Sequence, residues 1–136
     1  MVNSSFLDAF EKALSKNKIN KNNGPNYFIE GWGDLISACN SGFQFSSSEF
    51  DYELLIRDEI EKILQSKELE KYAEFQLFKD KIKELDDEFR KCTHPQYKLP
   101  IKTNNWWQNS VLKYSGELYA EQIKKHFGFD IQVLKD

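Results

Sequence analysis

The sequence predicts a mainly α single domain: a bundle of five or six helices with a short C-terminal strand and at most a minor β-hairpin or two-strand pairing. Three observations carry this. Apolar residues recur every three to four positions over most of the chain, the spacing that gathers side chains on one side of a helix. Residues 67–92 include no Gly or Pro and are dense in good helix formers. Alternation of apolar and other residues is confined to the end, at Phe129, Ile131 and Val133. The 136 residues are 40% hydrophobic and 15% aromatic, enough apolar surface for one continuous core, so a single helical domain over 1–136 is expected.

The first helix is expected from about Ser5 to Lys16, capped by Ser5, with Asp8 favouring its amide-rich end. Phe6, Phe10 and Leu14 make its inward stripe, widened by Leu7 and Ala13. The run from Asn17 to Asn26, rich in Asn, Lys, Gly and Pro, reads as a solvated connection. A second helix is expected between about Tyr27 and Asn40, with Phe28, Trp32, Leu35, Ile36 and Cys39 at helical spacing and Gly42 as its stop. Gly31 and Gly33 flank Trp32 inside it. Each costs about 1 kcal/mol relative to Ala, so they either delay the helix start or admit close backbone packing. The clearest helix is expected over about Asp51 to Gln65, with Tyr52, Leu55, Ile56, Ile60, Ile63 and Leu64 on one face.

In 67–92, Leu69, Tyr72 and Ala73 point one way, and Phe75, Phe78, Ile82, Leu85 and Phe89 nearly the opposite way. Either a break falls near Glu74, or one long helix meets different neighbours at its two ends. Pro95 and Pro100 then call for an ordered loop or short edge strand. Trp106 and Trp107 open a short ambiguous segment. A last helix is expected from about Gly116 to Phe127, with Tyr119, Ile123 and Phe127 inward and Gly128 ending it. The closing strand needs a partner, for which Lys98 to Thr103 or the region of Tyr27 to Ile29 is available.

The net charge is −3. This disfavours broad nucleic-acid or anionic-lipid binding, which uses clustered Lys and Arg. The acidity is concentrated in residues 49–92, with fourteen acidic against nine basic residues, so a basic protein partner is expected and nucleic acid is not. Charges interrupt every apolar run before membrane-span length, so no membrane association is expected. Asp8 and Glu11 stand where an export signal would carry an apolar run. A cytoplasmic location follows as an expectation, with Cys39 and Cys92 as reduced thiols.

Candidate chemistry is sparse. Cys92 and His94, with Cys39 and His126, would complete a metal site only if the fold gathered them; one short-spaced pair is too few for a structural zinc motif, and no metal or other cofactor is expected. Arg90 and His94 have three residues between them, whereas helical HEPN nucleases place four to six between their Arg and His. No nucleophile elbow, phosphate-cradling Gly-rich loop or His-Glu-x-x-His motif occurs, so no catalytic residues are assigned. Two candidate partner-binding features remain. Asp80, Glu84, Asp87 and Glu88 form an acidic stripe opposite Ile82, Leu85 and Phe89, shared with Lys83 and Lys91. Its competing reading is an ordinary solvated face with an Asp87 to Lys91 pair. Trp106 and Trp107 do not easily both point inward, so the pair is a second candidate contact surface; the competing reading packs both beneath the proline-bearing loop.

The C-terminal segments ELDDEFRKCTHP and NNWWQNSVLKYSGELYAEQIKKHFGFDI resemble a pattern in small bacterial proteins, some of which are immunity proteins of contact-dependent inhibition and other polymorphic toxin systems. The resemblance covers roughly the last fifty residues. It implies a non-enzymatic cytoplasmic inhibitor, monomeric or weakly dimeric, that occludes a cognate toxin, often a basic nuclease. The alternatives are a small helical enzyme acting on nucleic acid around Arg90 and His94, and a structural homo-oligomeric subunit.

Overall fold

The computed structural model describes residues 4–100 and 104–134. Among them are six α-helices, two 3₁₀ turns and four short strands: α1 (Ser4–Lys16), α2 (Pro25–Asn40), α3 (Ser47–Glu53), α4 (Leu55–Leu64), a 3₁₀ turn (Glu68–Lys71), α5 (Ala73–Lys91), β1 (Thr93–Lys98), a second 3₁₀ turn (Trp106–Asn109), β2 (Ser110–Leu112), β3 (Tyr114–Ser115), α6 (Glu117–Phe127) and β4 (Gln132–Val133). The fold is mainly α with minor strand pairing, as the periodicity predicts.

In α1, Phe6, Phe10, Ala13 and Leu14 are buried. Ser5 lies inside the first turn instead of capping it, Asp8 falls beyond that turn, and Leu7 faces solvent. The helix closes with Lys18 left-handed at φ 60° and the Ile19 amide donating to Leu14 O at 2.8 Å, which draws Ile19 into the core. α2 begins at Pro25, because Pro at the first helical position lacks only an amide that would have no intrahelical partner. Its glycines therefore do not delay it. At Gly31 a β-carbon would overlap Ile56 Cδ1, so the missing side chain lets α4 approach α2.

The helix expected over Asp51–Gln65 is split. Ser46 caps α3 by accepting the Glu49 amide at 3.0 Å. At Leu54 the ladder tightens, with the Arg57 amide donating to Leu54 O at 3.0 Å. The expected inward face is also corrected. Phe50, Leu54, Arg57, Ile60 and Ile63 are buried, while Tyr52 is 73% and Leu55 49% exposed. Arg57 lies about 140° around the helix from Tyr52 and about 200° from Leu55, so burying Arg57 turns both outward.

Of the two alternatives for 67–92 the break is the one found, at Tyr72, whose extended backbone separates the 3₁₀ turn carrying buried Leu69 from α5. Phe75, Phe78, Ile82 and Phe89 then face the core. Packed rings run through it, from Phe6 and Phe10 to Phe28 and Phe78 at one end and from Trp32 and Phe89 to Phe50, Tyr119 and Phe43 at the other, tilted or edge-on except for the stacked Phe50 and Phe89.

β1 pairs antiparallel with β2, with Thr93 opposite Leu112 and Lys98 opposite Ser110. Six residues face three, so β1 bulges around Pro95. Inside the bulge His94 Nδ1 accepts the Gln96 and Tyr97 amides at 3.1 and 3.2 Å, supplying partners the ladder does not. The C-terminal strand pairs with neither expected partner. β4 lies parallel to β3, reached through α6. Of the proposed Lys98 to Thr103 partner, residues 101–103 lie outside the described residues. Gly128 ends α6 at φ 77° as expected, but Phe127 is exposed.

Candidate functional site

The acidic stripe faces water: Asp80, Glu84, Asp87 and Glu88 are all exposed, opposite the buried side chains of α5. Their charge is largely met on the same helix. Lys81 pairs with Glu84 at 3.4 Å, Arg90 with Asp87 at 3.4 Å and Lys91 with Glu88 at 3.0 Å, each three residues apart, while Gln76 donates to Asp80 at 2.8 Å. The expected Asp87 to Lys91 pair is replaced by these i,i+3 pairs. Exposed pairs of this kind contribute only tenths of a kcal/mol, and among the described residues Asp80 is the stripe carboxylate that forms no ion pair.

A different acidic surface emerges on α3 and α4. Tyr52, Leu55 and Glu59 lie on the side away from Phe50, Leu54 and Arg57, with Glu49, Asp51 and Glu53 around them. None of these four glutamates and aspartates on α3 and α4 forms an ion pair among the described residues. Partial burial raises the Asp51 carboxyl above its ordinary value, and Glu59 is raised by burial and by Asp58 against an opposing pull from Lys62. The face thus combines an exposed aromatic ring, a half-exposed leucine and carboxylates that form no ion pair among the described residues.

The two tryptophans differ in burial. Trp107 is buried: its indole N–H donates to Asp58 Oδ1 at 2.6 Å and the Arg57 guanidinium lies 4.3 Å over its ring. Trp106 is half-buried, with the Arg90 guanidinium 3.8 Å over it. Trp107 therefore has no place in a contact surface.

What holds Trp107 is a polar network the sequence reading did not single out. Arg57, 3% exposed, donates through Nε and Nη2 to the two carboxylate oxygens of Asp86, 8% exposed, both at 2.8 Å. Trp32 Nε1 donates to the same Asp86 at 3.0 Å, and Arg57 reaches Glu61 at 3.0 Å. Burial alone would lower the Arg57 guanidinium, but its bonds to Asp86 and Glu61 outweigh this and hold it above the ordinary value. The signal was present: Asp86 falls four residues after Ile82 and three before Phe89, and Arg57 three before Ile60, so each charge sits on an apolar stripe.

Arg90 and His94 do come together. They line a cleft of about 510 Å³ with Thr93, Lys98, Trp106, Ser110 and Lys113, and no carboxylate of the described residues lines it. Cys39 and Cys92 are buried thiols, both raised by burial, with Cys92 Sγ donating to Asn40 Oδ1 at 2.9 Å. His126 lies exposed on α6. No group of three or more metal-ligating side chains occurs among the described residues, and no described helix is long and apolar enough to cross a membrane. No family model, curated protein or solved structure matches the chain.

Proposed function

We propose that this chain is a protein-binding module that docks a basic partner, in the role of an immunity protein neutralising a cognate toxin in the cytoplasm. The observation that carries the binding reading is the outward face of α3 and α4, where Tyr52 is 73% exposed amid Glu49, Asp51, Glu53 and Glu59. Exposed Tyr with surrounding charge is the composition of interface anchors: the ring supplies buried area on docking, and the carboxylates steer a basic surface toward it. The immunity role comes from the resemblance of the C-terminal segments. The α5 stripe is reassigned to a rim, because its pairs with Lys81, Arg90 and Lys91 must be broken before it contributes.

Mixing the purified chain with the product of the neighbouring upstream gene tests both parts. A stoichiometric, salt-sensitive complex with loss of toxicity is expected, and Tyr52→Ala or Glu53→Lys should weaken it about tenfold or more while the circular dichroism is unchanged. Absence of a complex overturns the immunity role. A complex indifferent to both substitutions overturns the assignment of the surface.

A further inference from the structure

The cleft between the C-terminal end of α5 and the β1–β2 pair has charges opposite in sign to the protein as a whole. Its charged lining side chains, Arg90, Lys98 and Lys113, are all cationic, in a chain of net charge −3. Lys98 and Lys113 form no ion pair among the described residues, and Arg90 has only the exposed 3.4 Å contact with Asp87. Like charges lining one cleft repel one another, and an anion bound among them relieves that repulsion.

The remaining walls are held in place. The Arg90 guanidinium stacks at 3.8 Å on Trp106, which restricts where it can present its N–H groups. The β1 bulge fixes the His94 ring from two sides. Its Nδ1 accepts two backbone amides, and its face stacks on Tyr97 at 3.8 Å, with Tyr97 in turn stacked on Phe129 at 4.4 Å. With Nδ1 an acceptor, the ring proton resides on Nε2, making a donor of the remaining nitrogen. A cleft of about 510 Å³ exceeds what a bare oxyanion fills and lies within the range of small-ligand pockets.

We propose that this cleft binds a phosphate monoester of about mononucleotide size, with Lys98, Lys113 and Arg90 meeting the phosphate charge and the His94 imidazole donating to it. The larger cleft between α1 and the end of α4 provides the contrast. It is lined by Lys12, Lys16, Lys62 and Lys67 but also by Asp8 and Glu68, so its cations are offset in part by acids of the same lining.

The test is a nuclear magnetic resonance titration of the full chain with adenosine 5′-monophosphate, inorganic phosphate and adenosine, read at the Trp106 indole and at the Gln96 and Tyr97 amides. Saturable shifts with the monophosphate below about 10 mM are expected, weaker shifts with phosphate, and none with adenosine. Lys98→Ala with Lys113→Ala should weaken binding about tenfold or more, and Lys12→Ala with Lys62→Ala should leave it unchanged. An unperturbed amide spectrum of each double variant establishes that it folds. Three outcomes overturn the proposal: no saturation, equal binding by the Lys98 and Lys113 variant, or tighter binding of a single-stranded oligonucleotide than of the monophosphate. Phosphate binding as tight as that of the monophosphate overturns the ligand size.

Discussion

Adjacent residues of identical chemistry have opposite roles at Asp86 and Asp87. Asp87 is exposed and shares a long contact with Arg90, whereas Asp86 is buried and accepts from both Arg57 and Trp32. Removing one partner of a buried pair strands the other charge in a poorly solvated site, which costs about 3–5 kcal/mol, while an exposed pair is worth less than about 1 kcal/mol. Asp86→Ala is therefore expected to lower the unfolding free energy by about 3–5 kcal/mol, and Asp87→Ala to change it by less than about 1 kcal/mol, in parallel denaturant titrations. Equal effects would mean that Arg57 finds water or Glu61 as a sufficient substitute. At this scale the sequence was legible in its hydrophobic residues and misleading in its charges. A charge on an apolar stripe announces burial, but which opposite charge meets it is set by how helices far apart in sequence cross. That is why Arg57 and Asp86, 29 positions apart, were not joined.

Helices were the most legible elements, because each needs only local spacing and local breakers. α1, α2 and α6 lie within a few residues of their expected limits, and the change of face in 67–92, which fits a break or one long helix equally, corresponds to the break at Tyr72 that starts α5. The orientation of α4 was not legible. Its sequence offers two overlapping faces, and the choice follows from Arg57 reaching Asp86 and from α2 coming close at Gly31. That second contact is testable by a double-mutant cycle. Alanine at Gly31 gains about 1 kcal/mol of helix propensity, but its β-carbon meets Ile56 Cδ1. Ile56→Val removes that methyl group. Introducing Gly31→Ala should thus be more favourable in the Ile56→Val background than in the parent, by about 0.5–2 kcal/mol of coupling in thermal or denaturant unfolding. A coupling near zero would show that Ile56 simply swings aside.

Over the whole molecule, the two small sheets are joined by side chains from opposite ends of the C-terminal third. Phe129 follows α6 and stacks on Tyr97 in the β1 bulge, while the Leu134 amide donates to Ser115 O at 2.8 Å and the Leu134 side chain packs where Gly42, at φ 88°, leaves room. Alternation at Phe129, Ile131 and Val133 revealed an extended segment, but a parallel pairing through a helix leaves no local trace, so its partner was not legible. The immunity resemblance does not depend on this arrangement, since unrelated folds serve that role; the His94 donor does. Phe129→Ala removes a half-buried ring and should cost about 1–3 kcal/mol. It should also free Tyr97 and loosen the bulge. Hydrogen exchange separates the two effects: the Gln96 and Tyr97 amides, which donate to His94, should exchange faster relative to the α6 amides in the variant than in the parent. If all amides accelerate together, the stack contributes only to global stability, and the geometry of His94 must be set by the β1–β2 pairing alone.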